Sequence, residues 1–168
     1  SILFAHEVPN KGGDTLFSCM HSAYEGLSDC LKSKLSKMKA RHSSRHVFGP
    51  ARAERNDDTV GRIKNADIAK QDAVHPVIIT HPETLKKILY VNPTFTLGFE
   101  GWTVAESKPL LNYLYAHSSR PDYTCRFQWK VGSIAFWDNR STWHLAINDY
   151  QGKRRLMHRI TIEGDKLK

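Results

Sequence analysis

The segment from Trp137 to Arg159, W-D-N-R-S-T-W-H-L-A-I-N-D-Y-Q-G-K-R-R-L-M-H-R, does most to limit what this chain can fold into. Its end, Arg154 to Ile162, reads as a closing strand. Side chains alternate along a strand, so Arg155, Met157 and Arg159 share one face, and Arg154, Leu156, His158 and Ile160 share the other. Residues four apart on a strand lie about 13 Å apart, so Arg155 and Arg159 cannot both grip one carboxylate at short reach. They can grip two different anions, each through a planar guanidinium fork. A basic edge strand would show the same residues. His144 shifts the balance. It follows a Trp-Asp-Asn turn, and the chain must double back between it and Arg155. Such a segment can supply one metal ligand and two anion clamps.

The rest of the chain breaks into short runs. Residues 1–9 have β character, Pro9 to Asp14 is a turn, and Thr15 to Phe17 resumes a strand. Ser22-x-x-Glu25 has the form of a capping box, opening a helix with Ala23, Leu27, Cys30, Leu31, Leu35 and Met38 on its apolar side. Residues 49–72 are polar with no clean period and read as a surface insertion. Val74 to Thr80 and Ile88 to Val91 read as strands of a hairpin, and Phe95 to Trp102 as a loop or irregular strand. Thr103-x-x-Glu106 caps a second helix reaching about His117, with Leu110, Leu111, Leu114 and Tyr115 as its stripe. Thr124 to Trp129 and Ser133 to Trp137 are further strands. Many short strands with two helices suggest a mainly β fold, an antiparallel sandwich carrying helical insertions.

The chain has 168 residues, enough for one domain with its own core. No apolar run approaches the ~20 residues that span a bilayer, so no membrane partner is expected. The N-terminus has no secretory-signal pattern. Cys19, Cys30 and Cys125 are odd in number and lack C-x-x-C spacing; they read as small apolar fillers in a reducing, cytoplasmic setting. The net charge of +8 gathers in Lys32, Lys34, Lys37, Lys39, Arg41, Arg45, Arg52 and Arg55. No aromatic residue interleaves that run before Phe48, so it reads as a solvated helix face with its trailing loop. No nucleic-acid partner is expected.

Several stretches, taken in order, resemble one family. They are G-G-D-T at Gly12–Thr15, S-A-Y-E-G-L-S at Ser22–Ser28, H-P-V at His75–Val77, T-H-P at Thr80–Pro82 and Y-V-N at Tyr90–Asn92. W-D-N-R at Trp137–Arg140, His144, N-D-Y at Asn148–Tyr150 and R-R-x-M-H-R at Arg154–Arg159 complete the set. The chain is similar to the taurine dioxygenase (TauD/TfdA) family of iron(II)- and 2-oxoglutarate-dependent oxygenases. That resemblance implies a double-stranded β-helix, or jelly roll, with inserted helices over residues 1–168. It also implies an iron site made of two histidines and a carboxylate.

By motif position, His144 resembles the distal histidine ligand of iron. Arg155 and Thr15 resemble the pair that holds the far carboxylate of 2-oxoglutarate, and Arg159 the arginine for the anionic group of the substrate. Phe48 and Phe95 fall where the family places aromatics against the substrate. The proximal H-x-D of the family would lie just before Ser1, so an N-terminally incomplete jelly roll is expected. His81-Pro82-Glu83 has an H-x-E form but sits in the hairpin turn, past the place where that motif belongs. The implied activity is hydroxylation of a small anionic organic substrate by dioxygen, with release of succinate and CO2. A sulfonate such as taurine is favoured over an alkyl sulfate ester or an aryloxyalkanoate. The activity would need the upstream ligands, and self-association is common in the family. The alternative is a catalytically inactive jelly-roll scaffold that does not bind iron.

Overall fold

The computed structural model describes residues 1–45, 72–162 and 164. Phe48 lies outside the described residues, as does the 49–72 segment apart from Asp72. The elements in order are β1 (Ile2–Glu7), β2 (Thr15–Cys19), α1 (Met20–Glu25), α2 (Asp29–Leu35), β3 (Lys39–Ser43), β4 (Asp72–Pro76) and β5 (Ile78–Thr80). They continue with β6 (Lys87–Leu89), β7 (Thr96–Phe99), α3 (Val104–Ser118), β8 (Thr124–Phe127), β9 (Ile134–Phe136), β10 (Thr142–Ala146) and β11 (Leu156–Ile160). The fold is mainly β with inserted helices, and its strands pair in the antiparallel manner of a jelly roll. The described residues group into two compact units. One comprises Ser1–Gly26, Ile79–Leu89 and the chain from His117 onward; the other comprises Leu27–Ile78 and Tyr90–Ala116.

The first unit holds two three-stranded antiparallel sheets, ordered β11-β1-β9 and β10-β2-β8. Between them Ala5, Trp129, Ala135 and Trp137 form a buried cluster, with Leu3, Val8, Phe17, Phe127 and Met157 packed against it. The alternation along β1 explains this. Leu3 and Ala5 face the cluster, while Ile2, Phe4 and His6 face the other way. Aromatic side chains carry most of the packed area, and Phe17 touches both Phe127 and Trp137.

Several sequence expectations need correction. The helix expected to run from Ser22 to Met38 is two short helices. Gly26 ends α1, and a Cβ there would collide with the Tyr123 hydroxyl. Ser28 is the working N-cap of α2, accepting from the Leu31 N–H, whereas the Ser22 hydroxyl turns to the Cys19 sulfur. With the helix divided, Leu35 is the buried residue of α2, and Cys30 is exposed. Cys19 and Cys125 are exposed too, so none of the three cysteines fills the core. The lysine-rich run contains β3, where exposed Lys39 and Arg41 alternate with buried Ala40 and His42. The Val74–Thr80 run divides at Val77 into β4 and β5, which pair in different sheets. The Thr103–Glu106 box forms as expected, with Glu106 accepting from Thr103 and the Thr103 hydroxyl accepting from the Glu106 N–H.

The second unit holds the sheet β4-β3-β7, with Leu35, Ala40, Val77, Phe99, Leu111 and Leu114 among its buried side chains. His42 is buried in it, with its ring against His75 and Tyr90 at centroid distances of 5.5 and 5.7 Å. Its Nδ1 lies 3.3 Å from the Thr96 hydroxyl. That hydroxyl also accepts from the Asn92 N–H. The buried Nε2 of His42 has no hydrogen-bond partner among the described residues. Burial, and then the charge of His75, push the His42 pKa down to about 4 from 6.5. Between those two values the unfolded chain takes up a proton that the folded chain refuses, so stability falls as the pH falls through this window. Replacing His42 with Gln should flatten the slope of unfolding free energy against pH between about 6.5 and 4, by a total of about 3 kcal/mol. Urea denaturation at stepped pH measures this; an unaltered slope in H42Q would acquit His42.

Candidate active site

Directly opposed residues in an antiparallel ladder present their side chains to the same face. Phe17 on the central strand β2 is opposed by His144 on β10, and Thr15 is opposed by Ala146 and Phe127. Phe17 and Phe127 pack into the core of the first unit, so His144 and Thr15 project toward that side as well. In the other sheet, Leu3 is opposed by Arg159 and Ala135, and Ala5 by Met157. Arg159 therefore shares the inner face with Met157, as the alternation predicts. The pairing of β11 begins at Leu156, so Arg155 lies just ahead of the strand rather than within it.

Arg155 sits among aromatic rings. Its guanidinium carbon lies 5.8 Å from the Trp129 ring centroid and 6.0 Å from that of Tyr150. Its Nε and Nη2 are buried and have no hydrogen-bond partner. These two nitrogens form the side-on edge of the guanidinium, the fork that grips a carboxylate with two parallel bonds. Among the described residues, no carboxylate lies within ion-pair distance of it. Trp129 also bonds Thr15, its indole N–H donating to the buried Thr15 hydroxyl at 2.9 Å. The turn before β2 closes tightly around this group. Gly13 has φ +74, and a Cβ there would press on Pro9, the Arg155 side chain and Tyr150 at 3.2–3.3 Å. The Gly13 N–H donates to Asp149 at 2.7 Å, tying the G-G-D-T turn to the N-D-Y motif.

His144 packs against Trp137 with ring centroids 4.9 Å apart, and the Arg159 guanidinium lies over the same indole at 5.6 Å. Although His144 is exposed by surface area, desolvation by the groups packed around it, and then the positive charge of Arg159, lower its pKa. The imidazole is thereby favoured in its neutral form, the form that ligates metals. The shared cluster of Trp129 and Trp137 thus carries His144 and Arg159 at one end and Thr15 and Arg155 at the other.

His81, Glu83 and Asp138 bring ligand-type atoms within 4.8 Å of one another. Their lone pairs are already engaged. His81 Nδ1 accepts from the Glu83 and Thr84 backbone N–H groups, leaving Nε2 to donate to Asp138 at 3.0 Å. Arg140 donates to both Asp138 oxygens and to Glu83. The Arg140 hydrogen bonds hold the Asp138 carboxyl well below the usual carboxylate range. The cluster is a clamp on the turn from β9 to β10, which carries Trp137 and leads to His144.

Of the residues singled out in the sequence, Thr15, His144, Arg155 and Arg159 gather in the first unit. Phe95 belongs to the second unit, in the turn before β7, where its N–H donates to Asn92. Phe48 lies outside the described residues. Sequence reasoning missed Trp129, Tyr150, Asp149 and Asn139. Trp129 meets Thr15 across 114 residues of chain, and no local spacing signals that contact. The N-D-Y motif was visible, but not the partners that Asp149 and Tyr150 find.

The unpaired fork of Arg155, beside the Thr15–Trp129 pair, fits a carboxylate such as one end of 2-oxoglutarate. Toward a metal, His144 offers one neutral imidazole, and the His81 cluster is engaged elsewhere. Comparison with known proteins finds several relatives. An alkylsulfatase from Acinetobacter baylyi is 37% identical over 166 residues, covering 98% of this chain and 52% of that protein. The structure of a putative alpha-ketoglutarate-dependent taurine dioxygenase from Burkholderia xenovorans superposes with a TM-score of 0.76 at 33% identity, over 93% of this chain and 50% of that one. The structure of AAD-2 in complex with Mn(II) and N-oxalylglycine superposes with a TM-score of 0.83 at 25% identity, over 99% of this chain and 63% of that one. The chain spans about half the length of the curated relatives it matches. Residues 1–161 match the family described as "Taurine catabolism dioxygenase TauD, TfdA family", and the chain belongs to that family.

Proposed function

We propose that the protein, at its full encoded length, is an iron(II)- and 2-oxoglutarate-dependent dioxygenase acting on a small organic anion. The carrying observation is the pair of buried, unpartnered N–H groups on Arg155. A buried donor without a partner costs free energy, and a carboxylate is the acceptor that matches this fork. In this reading Arg155 binds the distal carboxylate of 2-oxoglutarate and the Thr15 hydroxyl supports it. Trp129 holds the Thr15 side chain in place from one side and shields Arg155 from water on the other. His144 supplies one neutral imidazole to iron. Iron and the oxoacid together supply the oxidising chemistry, while the protein supplies position and charge.

Arg159 takes the anionic group of the substrate. A sulfo group suits it, because its oxygens match the guanidinium fork. The alkylsulfatase relative and the taurine dioxygenase neighbour are both named for sulfo compounds. We therefore favour alkyl sulfate esters and alkanesulfonates over aryloxyalkanoates. Phe48 and Phe95 enter by resemblance alone, as aromatics against the carbon body.

Succinate release by the full-length protein tests the reading, with iron(II), 2-oxoglutarate and a panel of alkyl sulfates, alkanesulfonates and aryloxyalkanoates. Turnover should require iron, stop on chelation and return when iron is restored. No succinate with any panel member would sink the proposal. Arg155→Gln should weaken 2-oxoglutarate binding by about 1.5–3 kcal/mol, roughly ten- to a hundredfold, by calorimetric titration. Gly13→Ala should also weaken it, because the added methyl displaces the Arg155 side chain and strains the turn; wild-type affinity in G13A would show that the turn does not set the guanidinium.

A further inference from the structure

We propose that Asn139 and Ser1 are positioning residues for the guanidinium of Arg159, holding it for a substrate anion without neutralising it. The inference rests on the reading of Arg159 given above. Arg159 has no carboxylate within ion-pair distance among the described residues. Its Nη2 donates instead to the Ser1 hydroxyl at 3.1 Å, and its carbon lies over the Trp137 ring. Both supports meet at Asn139. The Asn139 Oδ1 accepts from the Trp137 indole N–H at 2.8 Å, and its Nδ2 donates to the Ser1 hydroxyl at 2.7 Å.

Donor and acceptor counting fixes the polarity of this network. An indole N–H can only donate, so the Asn139 oxygen must face Trp137 and its nitrogen must face Ser1. A hydroxyl has two acceptor lone pairs and one hydrogen. On Ser1 the lone pairs serve Asn139 and Arg159, and the hydrogen points to the Thr161 hydroxyl 3.3 Å away. Every partner of the guanidinium is therefore neutral. A carboxylate in place of Ser1 would fix Arg159 as well, but would cancel the charge that recruits an anion. An unsupported arginine would keep the charge but lose side-chain freedom on each binding event. The hydroxyl and the indole avoid both costs.

The test uses the full-length protein, with pentyl sulfate as the probe. Asn139→Asp leaves an acceptor for Trp137 but turns a carboxylate toward Ser1; the Ser1 hydroxyl then gives its hydrogen to that carboxylate instead of Thr161, and a negative charge stands beside Arg159, offsetting the charge that recruits the anion. N139D should raise the KM for pentyl sulfate at least tenfold, with kcat and 2-oxoglutarate affinity changed less than twofold. Ser1→Ala should raise the same KM three- to tenfold, and Ser1→Thr, which keeps the hydroxyl, should restore it. Thermal midpoints of all variants separate these effects from unfolding, and S1A carries the test if N139D fails to fold. Arg159→Gln is the reference. If R159Q leaves the KM unaltered, or the wild type does not turn over the probe, the reading of Arg159 fails and this inference falls with it. If R159Q raises the KM while S1A and N139D do not, or if they lower kcat and 2-oxoglutarate affinity equally, the positioning role alone is overturned.

Discussion

The register of β2 against β10 governs what the first unit can do. His144 faces Phe17 across that ladder, and the side-chain period of a strand is two. A slip of one residue would carry His144 to the outer face and bring Trp143 or Leu145 inward. The opposite sheet has the same sensitivity, since Ala5 against Met157 places Arg159 inward two residues later. Each candidate ligand thus depends on backbone pairing formed far from it in sequence. The aromatic filling makes these registers costly to change, because a slip would turn the side chains packed around Trp129 and Trp137 to the opposite face.

Two ways of holding a charge appear side by side. Asp138 and Arg140 neutralise each other and lock a turn. Arg155 and Arg159 lie over indole and phenol rings, where quadrupole attraction holds a cation without quenching it. The contrast separates charges used for structure from charges without an ion-pair partner among the described residues. It also accounts for the tight turn at Gly12 and Gly13. Asp149, the acidic side chain reaching that region, bonds the Gly13 backbone rather than the guanidinium.

Much of this arrangement could be read from the chain before folding was considered. Alternation alone placed Met157 and Arg159 on one face, and the Thr103–Glu106 box gave the start of α3. Two kinds of feature escaped. Strand β3 hides in a lysine-rich run because its buried positions are Ala40 and His42, small or polar residues that leave no apolar signature. The division between α1 and α2 escaped because the apolar spacing continues through Gly26, and only the approach of Tyr123 makes glycine necessary there. The supports of the candidate site, Trp129 to Thr15 and Asn139 to Ser1, join residues more than a hundred positions apart. Local spacing carries no record of such pairs.

The open fork of Arg155 ties the protein's persistence to its surroundings. Two N–H groups held away from water with nothing to bond make the ligand-free fold less stable than its packing alone would allow. Any carboxylate that fills the fork returns that free energy, and mass action then shifts the balance away from the unfolded chain as its concentration rises. Under the proposed function, the abundance of the folded protein is coupled to the supply of a central dicarboxylate: a cell poor in it would lose the polypeptide to proteolysis sooner.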